Sequence, residues 1–116
     1  MKNSYVLYQK GLANSTDIFF HRKKICIRNG SSGGEDLVYI SNESEIDLLK
    51  ALGPKNWWLW LLNKIIGNPV SRERTLYLMA QKFTNLEKDP YLDIQRFLKK
   101  HNIKYTTEYW PDSDRF

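Results

Sequence analysis

The segment 41-SNESEIDLLKALGP-54 is where the character of the chain changes. Before it, apolar and β-branched residues come in short clusters separated by turn formers. From it onward, apolar residues recur at helical spacing. Asn42 stands three residues ahead of Glu45, the spacing of a capping box. Acidic residues fill the first turn, where the helix dipole favours them, and Gly53-Pro54 is a stop signal. Strands on one side of a single boundary and helices on the other give an α+β fold.

Upstream, Ser4 to Gln9 is rich in Tyr and Val, and Ile18 to Arg22 and Ile25 to Arg28 flank Lys23-Lys24 as a hairpin. Leu37 to Ile40 follows the glycine-bearing stretch Asn29 to Gly34, which reads as an ordinary loop because it has neither phosphate-loop nor dinucleotide spacing. An N-terminal antiparallel meander of three or four strands over 1–40 is expected. Downstream, 41–102 should hold about four helices. After the first, they run from Asn56 to Ile66, from an N-cap at Ser71 to about Lys88, and from Asp89-Pro90 to Lys99-Lys100-His101. In the third of these four, Leu76, Met79, Ala80, Phe83 and Leu86 form the core stripe. Asn102 suits a left-handed closing position. The stretch 103-IKYTTEYW-110 alternates as a final strand that can rejoin the sheet, with Ile103, Tyr105, Thr107 and Tyr109 on one face, and 111–116 reads as a loose tail. At 116 residues the chain fits a single domain over 1–116 with one core.

With 41% apolar and 27% charged residues, the composition is that of a globular protein. Cys26 is the only cysteine, which excludes an internal disulfide or a cysteine metal cluster and favours a reducing, intracellular (cytoplasmic) location. No cofactor or metal is expected: His21 and His101 lack ligand spacing, and 111-PDSDRF-116 holds only half of a metal-nuclease pattern. The longest apolar run, Trp57 to Leu62, falls far short of the roughly 20 residues that span a bilayer, and no signal-peptide pattern is visible, so no membrane partner is expected.

Two features point to binding. The first is an aromatic share of 14%, more than a small domain easily buries. In 55-KNWWLWLLNKIIG-67, Trp57 and Trp58 fall on the apolar arc of a helix, whereas Trp60 falls in its polar sector with Lys64 four residues on, a cation–π pair and a candidate anchor. The second is charge segregation: a net +5 overall divides into +5 over 1–34, −4 over 35–54, +6 over 55–104 and −2 over 105–116. The helix from Ser71 carries Arg74, Gln81, Lys82 and Asn85 opposite its apolar stripe, and the Gly67–Val70 turn before it is compatible with a helix-turn-helix arrangement. Arg72, Arg22, Lys23, Lys24, Lys99 and Lys100 add phosphate-contact capacity.

These readings favour a small non-catalytic binding protein acting on a nucleic acid or nucleoprotein by stoichiometric occupancy. The alternative is a protein-binding inhibitor of phage or mobile-element type that blocks a host nuclease or defence enzyme. A metal-independent ribonuclease using His21 and His101, with Arg22, Lys23 or Lys24 stabilising the phosphorane, comes third, since no motif links the two histidines.

Overall fold

Alternation sorts the side chains of the N-terminal strands onto two faces of a sheet. The computed structural model describes residues 3–11, 14–31, 33–52 and 69–111. Strands β1 (Ser4–Lys10), β2 (Asn14–His21), β3 (Lys24–Ser31) and β4 (Gly34–Ile40) are followed by a 3-10 turn (Asn42–Ser44) and three helices. These are α1 (Glu45–Leu52), α2 (Pro69–Phe83) and α3 (Tyr91–Lys100), after which comes β5 (Tyr105–Pro111). The sheet is antiparallel throughout, in the order β1-β2-β3-β4-β5. The last strand does rejoin it, setting Tyr105 opposite Ile40, Glu108 opposite Leu37 and Pro111 opposite Gly34.

Directly opposed residues share a face. The pairs Ile18↔Ile27, Phe20↔Ile25, Ile27↔Val38 and Ile25↔Ile40 therefore line the helix-covered side. There Leu7, Ile18, Ile25, Ile27, Val38 and Ile40 meet Leu48 of α1, Leu76 and Met79 of α2, Ile94 and Leu98 of α3, and Ile103. Each such side chain contributes about 1.5–3 kcal/mol by leaving water. The pairs Phe19↔Cys26 and Cys26↔Tyr39 face the other way, where Cys26, Leu37 and Tyr39 form a smaller buried cluster with Phe19 and Trp110 packed against it. No described helix is long and apolar enough to cross a membrane.

Several expectations need correction. Asn29, Gly30 and Ser31 belong to β3 rather than to a loop, because tertiary bonds override their turn propensity: Asn29 Nδ2 donates to Thr16 Oγ1 (2.9 Å) and Asp89 Oδ2 (2.6 Å). Asn42 forms no capping box with Glu45. Turned nitrogen-first, its amide donates to Glu45 Oε2 (3.0 Å) and to the Lys23 carbonyl (3.1 Å), while α1 starts at Glu45 itself. Helix α2 begins at Pro69, so Ser71 is not its N-cap, and it ends at Phe83 rather than near Lys88. Asn85 stops it: its N–H donates to the Leu7 carbonyl (3.0 Å), and its Oδ1 accepts from the Glu87 and Lys88 N–H groups (2.8 and 3.1 Å). Leu86, expected in the core stripe, is consequently 94% exposed. Pro111 lies in β5, not in a tail. The expected Trp helix, with Trp60 and Lys64, and the rest of the tail lie outside the described residues, so three of the expected four helices are described.

Helix α3 keeps its expected C-terminal end, but it starts at Tyr91, so Pro90 takes the N-cap position rather than the first helical one and Asp89 stands one residue before the cap. Asp89 Oδ1 still accepts the Tyr91 N–H (2.9 Å), and the same oxygen accepts from Thr16 Oγ1 (2.6 Å), which ties the helix start to β2. At the other end Asn102 takes φ +56°. The Ile103 and Asn102 N–H groups return to the Leu98 and Lys99 carbonyls (2.9 and 3.2 Å), the two bonds of a Schellman motif.

Candidate nucleic-acid interface

The β2–β3 turn holds the basic run read from the sequence. His21 pairs with Lys24 across a two-residue turn, and both turn residues take positive φ, +54° at Arg22 and +62° at Lys23. Antiparallel two-residue hairpins favour that twist, but Asn and Gly adopt it most readily; Arg and Lys meet a steric cost of about 1–2 kcal/mol per residue. Two long-range bonds hold the turn. The Lys23 carbonyl accepts from Arg72 Nη2 (2.8 Å) and from the Asn42 amide (3.1 Å). Arg72 is itself fixed by Glu45, whose carboxylate takes its Nε (3.0 Å) and Nη2 (3.1 Å), and its guanidinium lies 4.9 Å from the centre of the Phe20 ring. Glu45 is buried, so this pair joins the first residue of α1 to α2 and, through the Lys23 carbonyl, to the hairpin tip.

Aromatic surface adjoins the same tip on the sheet face away from the helices. His21 Nδ1 lies 2.9 Å from Tyr39 Oη, and the imidazole meets Trp110 edge-on at 5.8 Å. Arg22 stands 5.7 Å from the Tyr39 ring centre and 5.8 Å from that of Trp110, and Glu108 accepts from its Nη1 at 3.2 Å. Further across the face, Arg28 lies over Phe19 at 4.9 Å and is bound in a fork by Asp17 (2.7 and 3.3 Å); that hydrogen bond raises the guanidinium's already high pKa. Beneath, burial pushes the Cys26 thiol up to about 12 and raises the Tyr39 phenol, so both stay protonated and neutral at physiological pH.

Four cations singled out from sequence, Arg22, Lys23, Lys24 and Arg72, thus meet at one tip, the last as its support. The others lie elsewhere. Arg74 stands over the Tyr77 ring at 5.3 Å, and Gln81 donates to Tyr77 Oη (2.9 Å), so the polar face of α2 is engaged within the chain. Lys82 lies about 15 Å from Arg72 along the axis of α2, over the rings of Phe83 (5.9 Å) and Phe97 (5.3 Å). Lys99 and Lys100 are exposed at the C-terminal end of α3. His101 packs on Phe97 at 4.6 Å on the helix side of the sheet, whereas His21 lies on the opposite face, so the two histidines do not converge. Among the described residues no group of His, Cys, Asp and Glu side chains is placed to hold a metal ion.

Tyr39, Glu108 and Trp110 were not singled out from sequence. For Glu108 and Trp110 the signal is the alternation of β5 itself: with Thr106 they fall opposite the Tyr105 and Thr107 face, which matters only once β5 is paired with β4, the strand that carries Tyr39. No protein-family model, no curated protein and no solved structure matches this chain.

Proposed function

We propose that this chain is a non-catalytic binding protein that holds an unpaired nucleic acid strand by occupancy, at the β2–β3 turn and the aromatic surface beside it. The observation that supports the reading is the turn: two basic residues sit at positive φ where Asn-Gly would be more stable, next to His21, Tyr39 and Trp110. A local backbone cost retained at an exposed basic tip suggests a role for the side chains there. Lysine and arginine contact phosphates, and the half-buried rings of His21 and Trp110, backed by the buried Tyr39, offer surface for stacking on bases of any sequence, which suits a single strand better than a duplex. The exposed Arg22–Glu108 pair is worth only about 0.2–1 kcal/mol, so a phosphate can displace the carboxylate.

A second reading, a protein partner, is favoured by the rest of the same face. There Asp17 neutralises Arg28, and the Trp, Tyr and Arg content matches that of interface hot spots. The inhibitor hypothesis belongs to this reading.

The test joins stability to affinity. The double variant Arg22→Asn, Lys23→Gly should unfold at higher urea. Relief of about 1–2 kcal/mol at each residue, less about 0.5–1 kcal/mol for the freedom of the new glycine and about 0.2–1 kcal/mol for the lost Arg22–Glu108 pair, leaves about 1–2 kcal/mol of added stability. It should also bind a fluorescent single-stranded oligonucleotide more weakly, with a salt dependence shallower by about 1.4 in log–log slope for two lost phosphate contacts. Unchanged affinity in a more stable variant sinks the nucleic-acid reading. So does a wild-type anisotropy titration that is flat at low salt, which leaves the protein partner in its place.

A further inference from the structure

The two edges of the sheet are not alike. At the β1 edge the register slips between Val6 and Tyr8, a bulge at Leu7, and the Leu7 carbonyl is already taken by the Asn85 N–H (3.0 Å). Both devices block the addition of another strand. At the β5 edge the register is regular over all seven residues, and among the described residues the β5 backbone hydrogen-bonds to β4 alone.

Beside this edge lies a cleft of about 570 Å³, where α3 stands against β4 and β5; it is lined by Asp36, Tyr91, Leu92, Gln95, Thr107 and Tyr109. Leu92 and Tyr109 are 61% and 56% exposed, large apolar groups left in water at its rim. Glu108 also borders it, but its carboxylate is turned to Arg22 on the other face, so Asp36 supplies the charge of the cleft. Among the described residues no hydrogen bond or ion pair occupies the Asp36 carboxylate, and no lysine or arginine lines the space. In a chain of net charge +5, this is a local site for a cation rather than for a phosphate. The Tyr91 phenol, raised by burial and by the nearby Asp36, stays neutral and adds an aromatic wall, as does Tyr109.

We infer that this cleft takes the guanidinium or ammonium group of an extended basic peptide segment of a partner protein, which adds to the sheet as a sixth strand along β5. Main-chain bonds to the β5 edge, which no other described strand pairs, give affinity, and the cationic side chain beside Asp36 gives selectivity. A second copy of this chain fits less well. Symmetric pairing over all seven residues of β5 sets Glu108 against its counterpart, like charges directly opposed. The inference is independent of the nucleic-acid reading, since tip and cleft lie on opposite faces of the sheet.

The probes are a capped octapeptide of alternating valine and threonine with one central arginine, its citrulline counterpart, and free arginine amide. The arginine peptide should bind at least about tenfold more tightly than the citrulline peptide, the usual worth of one charge-assisted hydrogen bond. Asp36→Asn, at an exposed position that leaves the core intact, should remove that difference without altering oligonucleotide binding. Amide exchange in β5 should slow when the peptide binds. Equal affinity for arginine and citrulline peptides, no binding of the arginine peptide, unchanged β5 exchange, or free arginine amide binding as tightly as the peptide would each overturn the proposal.

Discussion

Gly34 shows what one position can demand. It takes φ +147°, and a Cβ there would stand 2.7 Å from the Trp110 carbonyl oxygen and 2.7 Å from Tyr109 Oη. Tyr109 uses that hydroxyl to donate to the Gly33 carbonyl (2.7 Å), so the β3–β4 turn and the end of β5 close over a residue without a side chain. Gly34→Ala should therefore cost about 2 kcal/mol through backbone strain and crowding together. Gly33→Ala, where a Cβ meets nothing within 4 Å, should stay within about 0.5 kcal/mol. Urea unfolding of the two variants checks the contrast, and equal losses would mean that the approach of β5 does not need the glycine. In the sequence the three glycines of 29–34 look alike. What separates them is the register of a strand some seventy residues away, which local pattern does not carry.

Among the elements, those whose ends are set by neighbouring residues were legible and those set by tertiary bonds were not. Asn102 closes α3 as read, because a Schellman motif is local. The end of α2 was missed because Asn85 answers to Leu7 on β1. Glu45 is similar: its place reads as a capping-box partner of Asn42 and a dipole-complementing acid of the first turn, yet it is 1% exposed and anchors Arg72, which the sequence offers as a phosphate contact. Removing Arg72 leaves a buried carboxylate without its guanidinium. Arg72→Ala should cost about 3–5 kcal/mol, near the loss typical of half a buried pair. Arg72→Lys should recover only part, because one ammonium cannot serve both carboxylate oxygens and the Lys23 carbonyl. Should Arg72→Ala unfold at the wild-type urea midpoint and lose only oligonucleotide affinity, Arg72 would be a contact residue after all.

For the whole molecule, composition and periodicity gave the α+β class, the meander and the returning strand. They could not give the meeting of Arg22 with Trp110, since that depends on which edge β5 joins. Nor could they show that the sheet has a core on both faces, with Cys26 fully buried under the smaller one. The second core makes a prediction about alkaline stability. The unfolded thiol loses its proton near its ordinary value of 9.0, whereas the folded one holds it up to about 12. Between those values the unfolded chain binds fewer protons than the folded one, so stability is full below pH 9 and falls as pH rises toward 12. At about pH 10.5 the thiol alone should account for about 2 kcal/mol of that fall, at 1.36 kcal/mol per unit. The buried Tyr91 phenol, also raised, acts in the same direction at higher pH. Cys26→Ala should start less stable, through lost packing, but should lose less between pH 8 and about 10.5 than the wild type, by roughly that 2 kcal/mol. Urea unfolding of both proteins at the two pH values measures the difference directly. If the two fall in parallel, the thiol is not shielded, and the face beneath Trp110 and Phe19 is open to water.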